Sequence, residues 1–201
     1  MKSHARVVVI GGGVVGVSTL YHLAEKGWSD VVLCERKELT SGSTWHAAGL
    51  LPLFNLSYSV GRIHKYSVAL YKTLEAETGQ DVGFRQVGNI RLATNRDRMD
   101  EYRYYAGIAA TTGVAVRFLT PDEVKDIWPL CQSEGLLGAI LHPDDGYIQP
   151  ADLSQALAKG ARDRGAEIYR ATKVIGIEAT PGGEWRVCTD RGDIVCEHVV
   201  S

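Results

Sequence analysis

The chain opens on an apolar run, Val7 to Ile10, with no polar alternation, so residues 6–10 read as a strand buried on both faces, as in a parallel sheet. It runs straight into Gly11-Gly12-Gly13-Val14-Val15-Gly16. A helical pattern then covers 18–26, Gly27 ends it, and 30–35 reads as a second strand closed by an acid, Glu35. Val60, Ile63, Ser67, Leu70, Tyr71 and Leu74 mark one face of a helix over 57–78, ended by Gly79. The period falls to two over 84–94, which predicts a hairpin turning at Gly88-Asn89. A helix over 96–112 and a short strand at 116–119 follow. Thr120-Pro121-Asp122-Glu123 then starts a helix with a cap, a first-turn proline and the reciprocal acid of a capping box. Strands are expected at 136–142 and 147–148, around Pro143-Asp144-Asp145-Gly146, which reads as ordinary turn chemistry, with a general-acid or metal role for the paired carboxylates as the less favoured alternative. Leu153, Ala156, Leu157 and Ala161 point inward from an amphipathic helix over 152–164, and 166–169 follows as a third parallel strand. Segments 172–179, 185–189 and 194–197 predict an antiparallel meander, with turns at 181–183 and 191–193.

The order of strand, glycines, helix and acid-terminated strand is that of a dinucleotide-binding unit. Gly11 permits the tight turn, Gly13 lets a pyrophosphate reach the backbone, and Gly16 lets the helix pack on the sheet. The first N–H groups of that helix, around Val14 and Val15, and its positive dipole end would face the phosphates. Glu35 would grip a ribose hydroxyl pair; the neighbouring Arg36 keeps a phosphorylated ribose as the less favoured alternative. An ordinary glycine-rich turn leaves the acid unexplained.

Both NAD and FAD use such a unit, and resemblance separates them. The strings VIGGGVVG (9–16), STWHAAGL (43–50), GNIRLAT (88–94) and DGYIQP (145–150), with Glu35 and Arg36, resemble the flavin-dependent amine oxidoreductases of the D-amino-acid-oxidase superfamily. The dimethylglycine and sarcosine dehydrogenase branch is the most similar. Leu20 stands where a small residue is usual and Gln149 where relatives carry an acid. The resemblance implies an α/β fold: an FAD-binding Rossmann-type parallel sheet with an antiparallel meander, an inserted substrate-binding sheet, and a C-terminus cut short. It implies FAD-binding parts at 1–82 and 150–201, and the inserted sheet and helices at 83–149. His46 is implied to carry the flavin on a covalent bond, for which a neutral imidazole is a suitable nucleophile. Gly42, Ser43 and Thr44 would meet the pyrophosphate and ribityl chain, Gly49 would let backbone pass near the ring, Trp45, Ala47 and Leu50 would also contact the cofactor, and the Val174 backbone would lie at the adenine. Without that string, His46 is a loop histidine beside a tryptophan.

The implied reaction is oxidation of an N-methylated amine by hydride transfer to FAD, with oxygen or an electron-transfer flavoprotein as acceptor and tetrahydrofolate as a candidate cofactor of a later domain. Arg85 and Arg91 are candidates for a substrate carboxylate. The proton acceptor is expected beyond residue 201, so no catalytic side chain is named within the chain. His64 reads as a packing or surface histidine. The alternatives are a flavin amine oxidase with noncovalent FAD, a folate-dependent transferase, and a non-catalytic regulatory relative, against which His46 counts. A net charge of -2 gives no reason to expect nucleic acid, and no apolar stretch is long enough to span a bilayer. The cysteines, Cys34, Cys131, Cys188 and Cys196, have no metal-like spacing and read as reduced, with Cys188 and Cys196 facing each other across a hairpin as one option. No targeting peptide is seen, and a cytoplasmic setting is expected, or the mitochondrial matrix in a eukaryote.

Overall fold

A computed structural model describes residues 1–201. The strands are β1 (His4–Ile10), β2 (Val31–Cys34), β3 (Leu50–Leu51), β4 (Arg85–Gln86), β5 (Asn89–Ala93), β6 (Arg117–Leu119), β7 (Gly138–His142), β8 (Gly146–Tyr147), β9 (Glu167–Tyr169), β10 (Val174–Ala179), β11 (Trp185–Thr189) and β12 (Ile194–Val200). The helices are α1 (Val14–Glu25), α2 (Tyr58–Thr78), α3 (Arg96–Thr112), α4 (Pro121–Ile127) and α5 (Pro150–Asp163). The chain forms two compact units, one of Met1–Ala48, Thr73–Gly83 and Gln149–Ser201, the other of Gly49–Lys72 and Phe84–Ile148. Segment Gly49–Lys72, which the sequence places with the first part of the nucleotide domain, thus groups with the second unit.

The first unit is built on a six-stranded sheet in the order β10-β11-β12-β1-β2-β9. β1 lies parallel to both β12 and β2, and β9 is parallel to β2, while β10, β11 and β12 form the antiparallel meander. Unbroken apolar runs suit the central strands because both faces are covered. On one face Val8, Val32, Cys34, Val187, Ile194 and Cys196 form a closed cluster. Val17, Leu20, Tyr21 and Ala24 are the buried side of α1, and α5 buries Leu153, Ala156, Leu157 and Ala161, the positions its periodicity marks. Leu20, larger than the usual residue there, is fully enclosed. Tyr21 donates to Glu77 at 2.8 Å, and Arg164 pairs with the same carboxylate at 2.9 Å, tying α1, the end of α2 and α5 together. α1 begins at Val14, earlier than its apolar period, because the glycines before it carry no side chains from which a period could be read.

The second unit holds two three-stranded sheets, β3-β8-β4 and β5-β7-β6. Here the sequence needs correction. The expected hairpin over 84–94 does not form: β4 pairs with β8, whereas β5 pairs with β7. Val87 and Gly88 each donate their N–H to the carbonyl of Asp145, at 3.2 and 2.8 Å, and this anchor hands the chain from one sheet to the other. Strands β7 and β8 likewise belong to different sheets. Leu53, Val68, Ala93, Tyr102, Tyr105, Ala109, Val114 and Ile140 make one core, and Leu119, Val124, Cys131 and Ala139 a smaller one. The capping box of α4 is present as expected: Thr120 Oγ1 accepts from Glu123 N, and the Glu123 carboxylate accepts from Thr120 N. All four cysteines are free. Cys188 and Cys196 do not face each other, since register places Cys196 opposite Trp185 and Cys188 opposite Gly176.

Candidate functional site

The glycine turn is enforced by contact. A Cβ on Gly16 would lie 2.0 Å from the Gly11 carbonyl oxygen, and one on Gly12 would lie 2.6 Å from Leu39 Cδ2 and 2.9 Å from Glu35 Cβ. The first is the expected close approach of helix to turn. The second marks a residue that the fingerprint reading passed over, although the run of three glycines displays it. Val17 N closes the first bond of α1 on Gly13 O at 3.0 Å, so the N–H groups of Val15 and Gly16 precede the helix's own ladder. Val14 N is already engaged, donating to Thr44 Oγ1 at 3.0 Å. Thr44 therefore caps α1 from the loop, in addition to any contact its hydroxyl proton can make with a phosphate.

Glu35, just past β2, is buried, and each of its carboxylate oxygens receives a backbone N–H: Gly12 N at 2.7 Å and Lys37 N at 2.7 Å. Each oxygen keeps a further lone pair, so the carboxylate can pin the glycine turn and still accept from a diol. A cavity of about 360 Å³ opens here, lined by Ile10, Gly11, Glu35, Arg36, Thr172 and Val174 among others. Gly11, Glu35, Arg36 and Val174, which the sequence analysis expects at a cofactor, thus line one cavity. Lys173, also on the wall, was missed for want of any motif. Thr40, with φ of 69°, is held in a left-handed conformation rare for a β-branched residue, and its N–H donates to Gly12 O at 2.9 Å. The loop after β2 is thereby tied to the turn after β1.

Residues Thr44–His46 form one 3-10 turn. Gly42, Ser43, Trp45, His46 and Ala47 are exposed along it, and the rings of Trp45 and His46 lie 4.0 Å apart at a tilt of 38°. His46 Nδ1 is 3.2 Å from the Gly42 carbonyl. A carbonyl only accepts, so Nδ1 carries the proton in this bond and Nε2 presents the lone pair. Gly49 and Leu50 belong to the second unit, Gly49 buried and Leu50 exposed.

The second unit contains a cluster that the sequence did not suggest. Asp145, read as an ordinary turn acid, is buried, as is His142. Asp144 is half-buried, bonded to Gln86 and paired with Lys72 at 3.6 Å. Asp145 Oδ1 accepts from Leu53 N at 2.9 Å, while Oδ2 has no partner; His142 Nδ1 and Arg91 Nε are unpartnered too. Burial pushes the Asp145 carboxyl up to about 6 and the His142 imidazole down to about 4. Arg91, a candidate for a substrate carboxylate, lies over the Phe54 ring at 4.4 Å, and the exposed Arg85 donates to Phe84 O. His64 Nδ1 donates to Pro52 O at 3.0 Å, since a carbonyl only accepts. No group of three or more His, Cys, Asp or Glu is placed to hold a metal, and no helix is long and apolar enough to cross a membrane.

Comparison with known proteins fits this geometry. The family described as FAD dependent oxidoreductase matches residues 6–201. Rat mitochondrial dimethylglycine dehydrogenase is 42% identical over 200 residues, covering 100% of this chain and 23% of that protein. The formaldehyde-forming 4-methylaminobutanoate oxidase of Paenarthrobacter nicotinovorans is 37% identical, again over 100% of this chain and 24% of its own length. The chain thus spans about a quarter of the length of these two curated relatives. Among solved structures, L-proline dehydrogenase from P. horikoshii superposes with a TM-score of 0.91 at 30% identity, covering 99% of this chain and 52% of that one. With the glycine turn, the buried Glu35 and the cavity between them, these likenesses establish that the chain belongs to the FAD dependent oxidoreductase family.

Proposed function

We propose that this chain carries the FAD-holding part of an enzyme that oxidises a small N-methylated amine or amino acid, with the cofactor tethered through His46. In this reading the first unit is the FAD-binding part and the second the substrate-binding part. The observation that supports this most is the first unit's cradle. Two glycines leave no room for side chains, a buried carboxylate faces an adenosine-sized cavity, and free N–H groups head α1. Glu35 would hold the ribose, Val174 the adenine, and Val15 and Gly16 N–H the pyrophosphate. When bound, FAD would supply the two-electron oxidising chemistry. The chain's share is to orient it and to fix the His46 tautomer through Gly42 O, which leaves Nε2 as the nucleophile. The relatives' names are those of a dimethylglycine dehydrogenase and a formaldehyde-forming 4-methylaminobutanoate oxidase, and N-methylated amino acids of that kind are the substrate class assigned here. A mitochondrial setting, which the rat relative's name carries, is the one proposed if the source is eukaryotic.

Intact mass under denaturing conditions tests the tether, on the protein in its natural length expressed with excess riboflavin beside His46→Ala. The expected result is an added mass of one FAD on the parent and none on the variant. Flavin released to the supernatant from the parent sinks the tether and leaves a noncovalent flavoenzyme. A colourless parent sinks the flavin reading as a whole. Turnover of dimethylglycine and sarcosine, with and without oxygen, then separates oxygen from an electron-transfer flavoprotein as acceptor.

A further inference from the structure

Both backbone polar groups of Leu53 are held by side chains of the buried cluster. Its N–H donates to Asp145 Oδ1 at 2.9 Å, and its carbonyl accepts from the Tyr105 hydroxyl at 3.2 Å. Upstream, Leu50 and Leu51 pair with Tyr147 and Gly146, and Gly49 O accepts from Ile148 N at 2.8 Å. Within the second unit, segment 49–53 is therefore laced along its whole length by segment 145–148 and by Tyr105. The Tyr105 hydroxyl has one proton, spent on Leu53 O, so toward His142 Nε2, 3.2 Å away, it accepts. His142 then carries its proton on Nε2, which locks Tyr105 from the far side. Phe54, one residue on, packs its ring 4.2 Å from that of Tyr105. The backbone that leaves the His46 loop is thus fixed by two side chains, from α3 and the turn before β8, and His142 of β7 holds the first of them.

We propose that Asp145 is a positioning residue: its carboxylate, together with the Tyr105 hydroxyl, fixes Leu53 and so sets the course of the strand that follows the flavin loop. The inference rests on the flavin reading of that loop. Asp145 touches no reacting atom and acts through the backbone of 50–53, which carries the exposed Leu50. Its useful atom is one acceptor, Oδ1, and an amide oxygen at the same place serves equally well. An alanine removes the acceptor and leaves a buried N–H without a partner.

The test compares parent, Asp145→Ala and Asp145→Asn in the natural-length protein. Amide hydrogen exchange is followed on peptides covering 49–55 and 185–200, with the flavin absorption spectrum, kcat and KM. Asp145→Ala is expected to speed exchange in 49–55 at least tenfold, leave 185–200 unchanged, shift the flavin absorption bands and raise KM more than it lowers kcat; Asp145→Asn restores all four. Should Asp145→Ala not fold, Tyr105→Phe, which removes only the hydroxyl, is expected to speed exchange in the same peptide. The proposal is overturned by unchanged exchange at 49–55, by faster exchange with an unaltered flavin spectrum and KM, or by an asparagine variant as impaired as the alanine one. A parent that binds no flavin defeats the flavin reading by itself, and the exchange result still judges the clamp on Leu53.

Discussion

Each unit buries one carboxylate, and the two are treated in opposite ways. Glu35 in the first unit has a backbone N–H on each oxygen, from Gly12 and Lys37. Asp145 in the second has one N–H, from Leu53, and a bare second oxygen. A half-matched carboxylate out of water is pushed toward its neutral form, which is the direction in which Asp145 moves. The first carboxylate holds a turn on which a cofactor would rest. The second is poised near the point of changing charge, and it holds a strand.

Replacing each acid by its amide sharpens the contrast and carries the largest expected effect. Glu35→Gln puts an NH2 donor against a backbone N–H, either that of Gly12 or that of Lys37, and strands one buried donor. A loss of roughly 2–3 kcal/mol is expected, read as a lower denaturant midpoint at pH 8 with an unchanged slope. Asp145→Asn keeps the bond to Leu53 and removes a charge that burial disfavours, so it is expected to stabilise at the same pH. A midpoint that falls for Asp145→Asn breaks the comparison, because it would mean that removing the charge gains less than an unpartnered NH2 at the Oδ2 position costs.

The next effect depends on pH, and its sign follows from the direction of each shift. Asp145 has its folded pKa raised from 3.8 to about 6, so its contribution is fully present below 3.8 and is lost as pH rises through 6. His142 has its folded pKa lowered from 6.5 to about 4, so its contribution is present above 6.5 and is lost as pH falls through 4. Between pH 4 and 6 the two slopes oppose each other and nearly cancel in the parent. Asp145→Asn exposes the His142 slope, with stability rising with pH across that window; His142→Gln exposes the Asp145 slope, with stability falling. Each slope spans at most roughly 3 kcal/mol. Chemical denaturation at pH 4, 5, 6 and 7 on the three proteins measures it, and parallel curves for the two variants would refute the assignment.

The same contrast explains how much of the molecule was legible in the sequence. The first unit was read almost whole, since Val7 to Ile10, the glycine turn, Glu35 and the period of α5 lie in short stretches whose local chemistry has few solutions. The second unit was read as elements but not as pairings. The alternation over 84–94 is real, yet β4 and β5 chose different sheets, because the anchor for Val87 and Gly88 is a carbonyl near residue 145 that no local pattern announces. The burial of Asp145 is hidden for the same reason. Pro143-Asp144-Asp145-Gly146 does turn the chain, and its composition says nothing of which acid points inward.

Two threonines that cap helices show this limit at its smallest scale, and one of them gives the last prediction. Thr120 caps α4 through Glu123 N, three residues on, and the sequence alone displays the motif. Thr44 caps α1 through Val14 N, 30 positions away, and nothing in the STWHAAGL string hints at it. Thr44→Val keeps the shape of the side chain and removes the acceptor, so Val14 N–H loses its partner while the fold around it stays packed. The expected cost is about 1 kcal/mol, the usual worth of a cap, seen as a small fall in Tm of the flavin-free protein. A bound pyrophosphate offers α1 an acceptor of its own, and flavin loading should then recover part of the loss. Flavin-loaded parent and variant should therefore differ less in Tm than the flavin-free pair does. An equal gap with and without flavin would show that Val14 N–H never turns to the cofactor and that Thr44 serves the helix alone.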